Sequence, residues 1–523
     1  MATESGAVPG GSVGQAPSGH QGVMDKGLKK GAISYASNIV IGVASTAPAY
    51  SLAATLGFIA ALSGIGTHAP AVLLVSFVPI LLVSVAYKYL NRADPDAGTT
   101  FAWTTRAFGP GWGWLNGWAI FLADILVMAS LSDIAAIYSL QLFGIEETKA
   151  LVMIIAVLWI ALMTWICWRG IELSAAIQRA LLTAEVIILS IFAITALVKV
   201  YGGSAGHGAI EPTADWFNPF AMNFGDLLPA VLLGVFIYWG WDSGVAVNEE
   251  SEDPANGPGK AAVISTLLLL VIYLLVATGA QAFHGVGFLA NEENAEDVLN
   301  ALGKPVFGGG GVGWILTHLL ILCVLTSASA STQTTILPTA RTTLSMAHWK
   351  AVHKVLGKVH KTYLTPDVST IAMGALSIVV TVPLLLVSES VLADSITALG
   401  FPVCFYYGFT AFACVWYFRR ELFTSARKFF LVGLVPFVGG VMLFGVFVKA
   451  LIYYGETKNV ESAPLAGITL PLWFGIGGMI LGAILMFASR PYFKEFFARK
   501  TETARPGILD EPPMQTLPAQ VDF

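Results

Sequence analysis

Residues 236–254 read FIYWGWDSGVAVNEESEDP, placing an aspartate, Asp242, directly after six residues that lipid or a protein core would accept. Gly240, Asp242, Ser243 and Gly244 crowd the middle of an apolar run over 227–248. At ~1.5 Å per helical residue, ~22 residues suffice to cross a bilayer. A membrane helix hides its own amides and carbonyls, so a span holding helix breakers must satisfy the freed groups by other means.

Composition sets the frame for this reading. The chain has 523 residues, 56% hydrophobic and 12% charged, where soluble chains carry about 25% charged residues. A polytopic membrane protein keeps its few charges in loops and ends, and the net charge of −5 says nothing of partners. The basic residues fall in short separated groups with no zinc-type spacing, so nucleic acid is not an expected partner. Apolar runs of roughly 18 residues or more, the length that crosses ~30 Å of hydrocarbon, number twelve. They lie at 34–61, 68–90, 112–143, 149–168, 177–199, 227–248, 261–284, 313–338, 369–388, 392–417, 429–453 and 468–488.

The lysines and arginines orient these spans. With the N-terminus inside, all but Lys149, Lys199, Lys304, Lys449 and Lys458 of the 28 basic residues fall on the inner side. Positively charged loops are retained in the cytoplasm, so both termini are expected there, in a plasma (inner) membrane. Residues 1–30 read as a disordered cytoplasmic tail, rich in Gly, Ser, Ala and Pro over 1–24, and 491–523 as a cytoplasmic tail that reads likewise over its proline-containing stretch 500–523. The acidic run Glu249–Asp253 reads as a solvated inner loop. The glycines at 308–311 lack a following Lys-Ser/Thr and read as a connection, not a phosphate cradle. Cys167, Cys323, Cys404 and Cys414 sit at unrelated spacings within or beside spans, as buried thiols do. No ligand spacing for a metal and no enzyme constellation is found.

The first span, SNIVIGVASTAPAYSLAATLG, is also interrupted: Gly42 loosens it, Ser45 and Thr46 are small and polar, and Pro48 cannot donate. Taken alone it is either a proline kink or a pair of half-helices, one ending near Gly42 and one starting near Pro48 with Thr46 or Ala47 as cap. The sixth span tips the balance towards a break, because interrupted spans five apart are what an inverted repeat of five plus five helices produces. The expected fold is therefore all-α, with twelve membrane helices: a first repeat over 31–200, a second over 201–418, and two extra helices over 419–490. Exposed amides at a half-helix N-terminus attract an anion, while unwound carbonyls attract a cation. An amino acid zwitterion meets both demands, its carboxylate towards Gly42, Val43, Ala44, Ser45 and Thr46, its ammonium towards Trp239, Gly240, Trp241, Asp242 and Ser243.

The residues now carry a resemblance. YWGWDSGVAVNEESEDPANGPGKA and NRADPDAGTTFAWTTRAFGPGWGWLNGW are similar to two patterns of the amino acid, polyamine and organocation transporter superfamily, whose core is LeuT-like. Thr99, Thr100 and Phe101 depart from the usual Gly-x-Tyr, and the first break has one glycine where many relatives have Gly-Ser-Gly. The resemblance implies that Asp242 faces the substrate and that Glu185 of span five lies beside the first break, where relatives carry a lysine or other polar group. It also makes Thr326 and Ser327 of span eight candidates for a sodium ion, against the alternative of close helix packing. Asp124 in span three is a further candidate carboxylate, and Tyr406 and Tyr407 are candidate cavity or gate residues. A carboxylate at the bilayer centre costs at least ~2.5–3.5 kcal/mol, so each such group needs a polar interior, a partner or a proton.

The function so implied is alternating-access transport of an amino acid or related amine, proton-coupled, with sodium as the other driving ion. A polyamine carrier, an amino acid exchanger and a non-transporting membrane sensor are the alternatives. No cofactor and no obligate protein partner is expected; the partners are the small-molecule substrate and the bilayer.

Overall fold

The computed structural model describes residues 25–388, 390–460 and 462–510. Every regular element among them is helical, with only isolated β-bridges besides. The twelve spans are Tyr35–Ala61, Gly66–Ala93, Pro110–Leu142, Lys149–Arg169, Ile171–Tyr201, Phe224–Ala246, Gly257–His284, Gly311–His348, Asp367–Leu386, Val391–Tyr417, Ala426–Tyr453 and Leu472–Ser489. They are called spans one to twelve below. The expected limits hold to about one helical turn, with two larger differences. Span five starts at Ile171, not 177, and span eight runs to His348, not 338. Pro338 sits inside that helix, and the residues beyond it stay largely buried around Arg341.

Burial sorts the spans into two shells. In the most apolar stretch of span one 89% is buried, against 17% in span twelve and 28% in span four. Spans one, three, six and ten thus form the inside, and span three packs on both eight and ten. Spans four, five, eleven and twelve turn Leu158, Ile194, Val448 and Ile484 outward, a face that lipid tails accept. The four cysteines are buried and unpaired.

Two tail expectations are corrected. Lys26 and Leu28, placed in a disordered stretch by composition, are buried. Residues 494–510 likewise pack back onto the helix ends. Phe496 stacks on Phe101 at 5.7 Å, and the amides of Glu502 and Ala504 donate to the carbonyls of Arg106 and Tyr417 at 2.6 and 2.9 Å. Low hydrophobicity hid these contacts because few side chains make them. The readings of 1–24 and 511–523 fall outside the described residues.

Small residues set the tightest crossings. A Cβ on Gly57 would lie 2.8 Å from the carbonyl carbon of Ala295 and closer still to its Cα and oxygen. Gly57→Ala is therefore expected to push the second half of span one off the loop helix Glu292–Ala295. Overpacking of this kind costs about 1–3 kcal/mol, read as a lower Tm of the purified protein.

Candidate functional site

Span one is two half-helices, Tyr35–Ser45 and Pro48–Ala61. The first ends three residues later than its glycine suggested, so Gly42, Val43 and Ala44 are helical. Ser34 starts it by accepting from the Ser37 amide at 3.3 Å. At the break Ala47 takes a left-handed backbone, φ 46°. The amides of Thr46 and Ala47 turn back to the carbonyls of Val43 and Ala44 at 3.2 and 3.1 Å. The Thr46 hydroxyl bonds Val43 as well, so it does not cap the second half. That cap comes from span five. Glu185 Oε1 accepts from the Ala49 amide and from the Ser327 hydroxyl, both at 2.7 Å. A carboxylate at the positive end of a half-helix is electrostatically favoured.

Span six is also two helices, Phe224–Tyr238 and Ser243–Ala246, parted by Trp239, Gly240, Trp241 and Asp242. Gly240 has φ 117°, and a Cβ there would meet the Ser45 carbonyl oxygen at 2.7 Å. Only glycine allows the two breaks to approach this closely. Gly42 does the same on the other side, where a Cβ would lie 3.1 Å from the Trp241 oxygen. The breaks touch directly through Ser45 Oγ and Ser243 Oγ at 2.7 Å. Two further side chains tie them together. Tyr273 of span seven donates to the Ile237 carbonyl at 2.7 Å with its hydroxyl 3.2 Å from Thr46 Oγ1, and Ser331 of span eight donates to the Ser45 carbonyl at 2.8 Å.

Asp242 is buried, and accepts from the hydroxyls of Tyr407 at 2.9 Å and Tyr406 at 3.2 Å. The Trp239 indole donates to Tyr406, which leaves the Tyr406 proton free for Asp242. Trp241 lies almost parallel to Tyr407, 5.3 Å between centroids, and edge-on to Tyr87. Its buried indole nitrogen has no acceptor among the described residues. Asp124 accepts from Thr339 and lines the same small cavity as Ser45, Trp239, Asp242, Thr335 and Tyr406. That cavity holds about 10 Å³, room for roughly one water. The cavity is therefore closed, too small for anything beyond a water.

The candidates separate into three places. Ser45, Trp239, Gly240, Asp242, Ser243 and Asp124 line the cavity, while Gly42 and Trp241 shape its backbone and wall. Glu185 and Ser327 stand together behind the first break. Thr326 is half-buried and bonds the Cys323 carbonyl at 3.1 Å, away from both. Tyr273, Ser331, Thr335 and Tyr87 were missed: single hydroxyls inside apolar runs carry no signal until the helices are assembled. Asp133 and Asp394 inside spans three and ten were missed as well.

The face that carries both tails is tied together by ion pairs. Lys26 sits between Asp96, at 3.1 Å, and Glu249. Arg341 of span eight holds both oxygens of Glu250 at 2.5 and 2.9 Å, and Arg106 bridges Asp94 and Glu502 at 2.6 and 2.8 Å. The expected solvated acidic loop is thus corrected for Glu250, which is buried, and for Glu249, which is mostly covered; both lie against cations far away in sequence. Burial pushes Asp96 up, but Lys26 and hydrogen bonds from Ser345, the Gly98 amide and Trp349 outweigh it and hold it at about 2. Burial raises Glu249 to about 7, offset in part by Lys26 and reinforced by the nearby Asp96.

With this geometry in view, comparison with known proteins is informative. The family model described as amino acid permease matches residues 32–474. An uncharacterised transporter of Mycobacterium tuberculosis is 25% identical over 303 residues, covering 56% of this chain and 63% of that protein. The branched-chain amino acid permease BcaP of Bacillus subtilis is 23% identical over 58% of this chain and 64% of its own. An arginine/ornithine antiporter of Latilactobacillus sakei is 21% identical over 77% of this chain and 88% of its own. The chain spans less than two thirds of the mycobacterial relative it matches.

Two outcomes follow from the closed face. Glu250→Gln strands a buried Arg341, a loss of about 3–5 kcal/mol for breaking such a pair, visible as a lower Tm. Folded Glu249 holds its proton more tightly than the usual 4.5. Its contribution to stability is therefore complete below about pH 4.5 and lost as pH rises through about 7. Tm measured from pH 4.5 to 7.5 is expected to fall less steeply in Glu249→Gln than in the wild type.

Proposed function

The chain belongs to the amino acid permease family, and from that premise we propose that it is a secondary transporter of an amino acid or related amine. The observation that carries this reading is the meeting of two half-helix breaks around a closed polar seat that contains Asp242. Substrate ammonium pairs with Asp242 in place of a tyrosine hydroxyl, and the indole of Trp239 or Trp241 covers the aliphatic part. The helices rock around this seat to open it to each side in turn. The tail-bearing face, rich in Lys and Arg, is the cytoplasmic one in this reading, and the ties of Lys26 and Arg341 are what must part for release.

A proton is the driving ion. Support comes from Glu185, whose carboxylate joins the first break to Ser327. This is the neighbourhood in which the resemblance would seat sodium, and here a titratable group already occupies the Ser327 hydroxyl. Protonation weakens the hold of Glu185 on the Ala49 amide and so loosens the second half of span one.

One observation favours a second reading, exchange of cationic amino acids: two carboxylates, Asp124 and Asp242, line one small seat. The Latilactobacillus relative is named for arginine and ornithine exchange. Uptake into proteoliposomes with and without preloaded arginine separates the two readings, since only an exchanger requires the inner substrate.

In the same assay Asp242→Asn is expected to reduce uptake about tenfold or more, the loss of one charge-assisted hydrogen bond of ~1.5–3 kcal/mol. Glu185→Gln keeps a neutral acceptor for Ala49 and Ser327, so the protein should fold while the pH dependence of uptake flattens. Uptake that follows a sodium gradient and ignores pH would remove the proton from the mechanism.

A further inference from the structure

A cavity far larger than the central seat lies elsewhere in the fold. It is a recess of about 290 Å³ on the tail-bearing face, where spans two, seven and eleven begin or end. Lys88, Arg92, Lys260, Arg427 and Lys428 line it, and Asp510 is its one acidic wall residue. The crossing that forms it is tight by construction. A Cβ on Gly259 would lie 2.8 Å from the Lys88 Cα, so glycine brings span seven against span two and sets Lys260 beside Lys88. Asn91 fixes the approach, donating to the carbonyls of Pro254 and Ala255 at 2.8 and 3.0 Å.

Charge is not balanced there. Lys428 pairs with Glu421 at 2.7 Å and Asp510 at 2.6 Å. Lys88 and Lys260 have no acidic partner among the described residues, and Arg427 turns to the Tyr89 hydroxyl. Lys88 is close enough to Lys260, Arg427 and Arg92 to be repelled by each. Such a cluster, held together by a glycine crossing, is relieved by a multivalent anion whose oxygens reach several cations at once. A second observation gives the depth of the recess. Phe423, just before span eleven, and Phe429 and Phe430 at its start are exposed beside it, as apolar aromatic side chains are where they enter the headgroup/acyl boundary.

We propose that this recess is a phosphate-binding site, taking the phosphate group of an anionic lipid headgroup or a soluble phosphate, with Lys88, Lys260 and Arg427 as its principal cations. The Asp510 carboxylate occupies one edge and competes for Lys428. The site is separate from the substrate seat and does not depend on which solute that seat carries.

The test uses the purified full chain and three probes: phosphatidylglycerol vesicles, phosphatidylcholine vesicles and inorganic phosphate, with binding and Tm as readouts. Phosphatidylglycerol is expected to bind and raise the Tm while phosphatidylcholine does neither. Lys88→Gln with Lys260→Gln should weaken that binding by about fivefold per cation removed, with no loss of Tm in the absence of phosphate. Inorganic phosphate that stabilises the wild type as well as phosphatidylglycerol does, and the double variant less, assigns the site to soluble phosphate. If the double variant does not fold, Asp510→Asn answers the same question, since freeing Lys428 should tighten binding. Equal binding by wild type and variants to every probe, or tightening absent in Asp510→Asn, overturns the proposal.

Discussion

Backbone polar groups released inside a membrane must find partners, and this protein is arranged around meeting that demand twice. An amide or carbonyl left bare in hydrocarbon costs several kcal/mol. At the first break Glu185 takes the Ala49 amide, Ser331 takes the Ser45 carbonyl, and the amides of Thr46 and Ala47 fold back on their own helix. At the second, Tyr273 takes the Ile237 carbonyl. Partners therefore come from spans five, seven and eight, which is why those spans carry polar residues at that depth. What is left over forms the seat: Ser45, Ser243 and the Asp242 carboxylate with its two tyrosines.

Much of this was legible in the sequence because the rules it breaks are strict. Gly240, Asp242 and Pro48 are costly inside a membrane helix, so each announces a break, and Asp242 lies at the second. Glu185 was visible as a buried acid, but its capping role depends on which half-helix end it meets across the bundle. Tyr273 and Ser331 were silent. A tyrosine or serine in an apolar span costs little, and nothing in the chain marks which carbonyl it will meet. The burial of Lys26, Glu249 and Glu250 was likewise hidden, since a charge run near a helix end usually faces water. Only pairing with residues far along the chain, 223 away for Lys26 and Glu249 and 91 away for Glu250 and Arg341, brings them inside.

The closed seat and the tied face describe one conformation. A cavity of about 10 Å³ excludes an amino acid, and the ion pairs on the tail-bearing face bind span eight, the segment after span six, the loop after span two and both tails to one another. In the proposed transport cycle, opening on that side requires these contacts to separate together. Several are buried, and a buried pair is costly to break but need not be strongly stabilising overall. Such ties suit a gate that holds one state and yields when another is favoured.

The central claim is that a small charged solute sits between the two breaks. An experimental structure with an amino acid bound, chosen by its stabilisation of the purified protein, tests it most directly. The account predicts ligand density bounded by Ser45, Ser243 and Asp242, with both spans interrupted. Ligand density elsewhere, or spans one and six running as continuous helices past an empty gap, would contradict it.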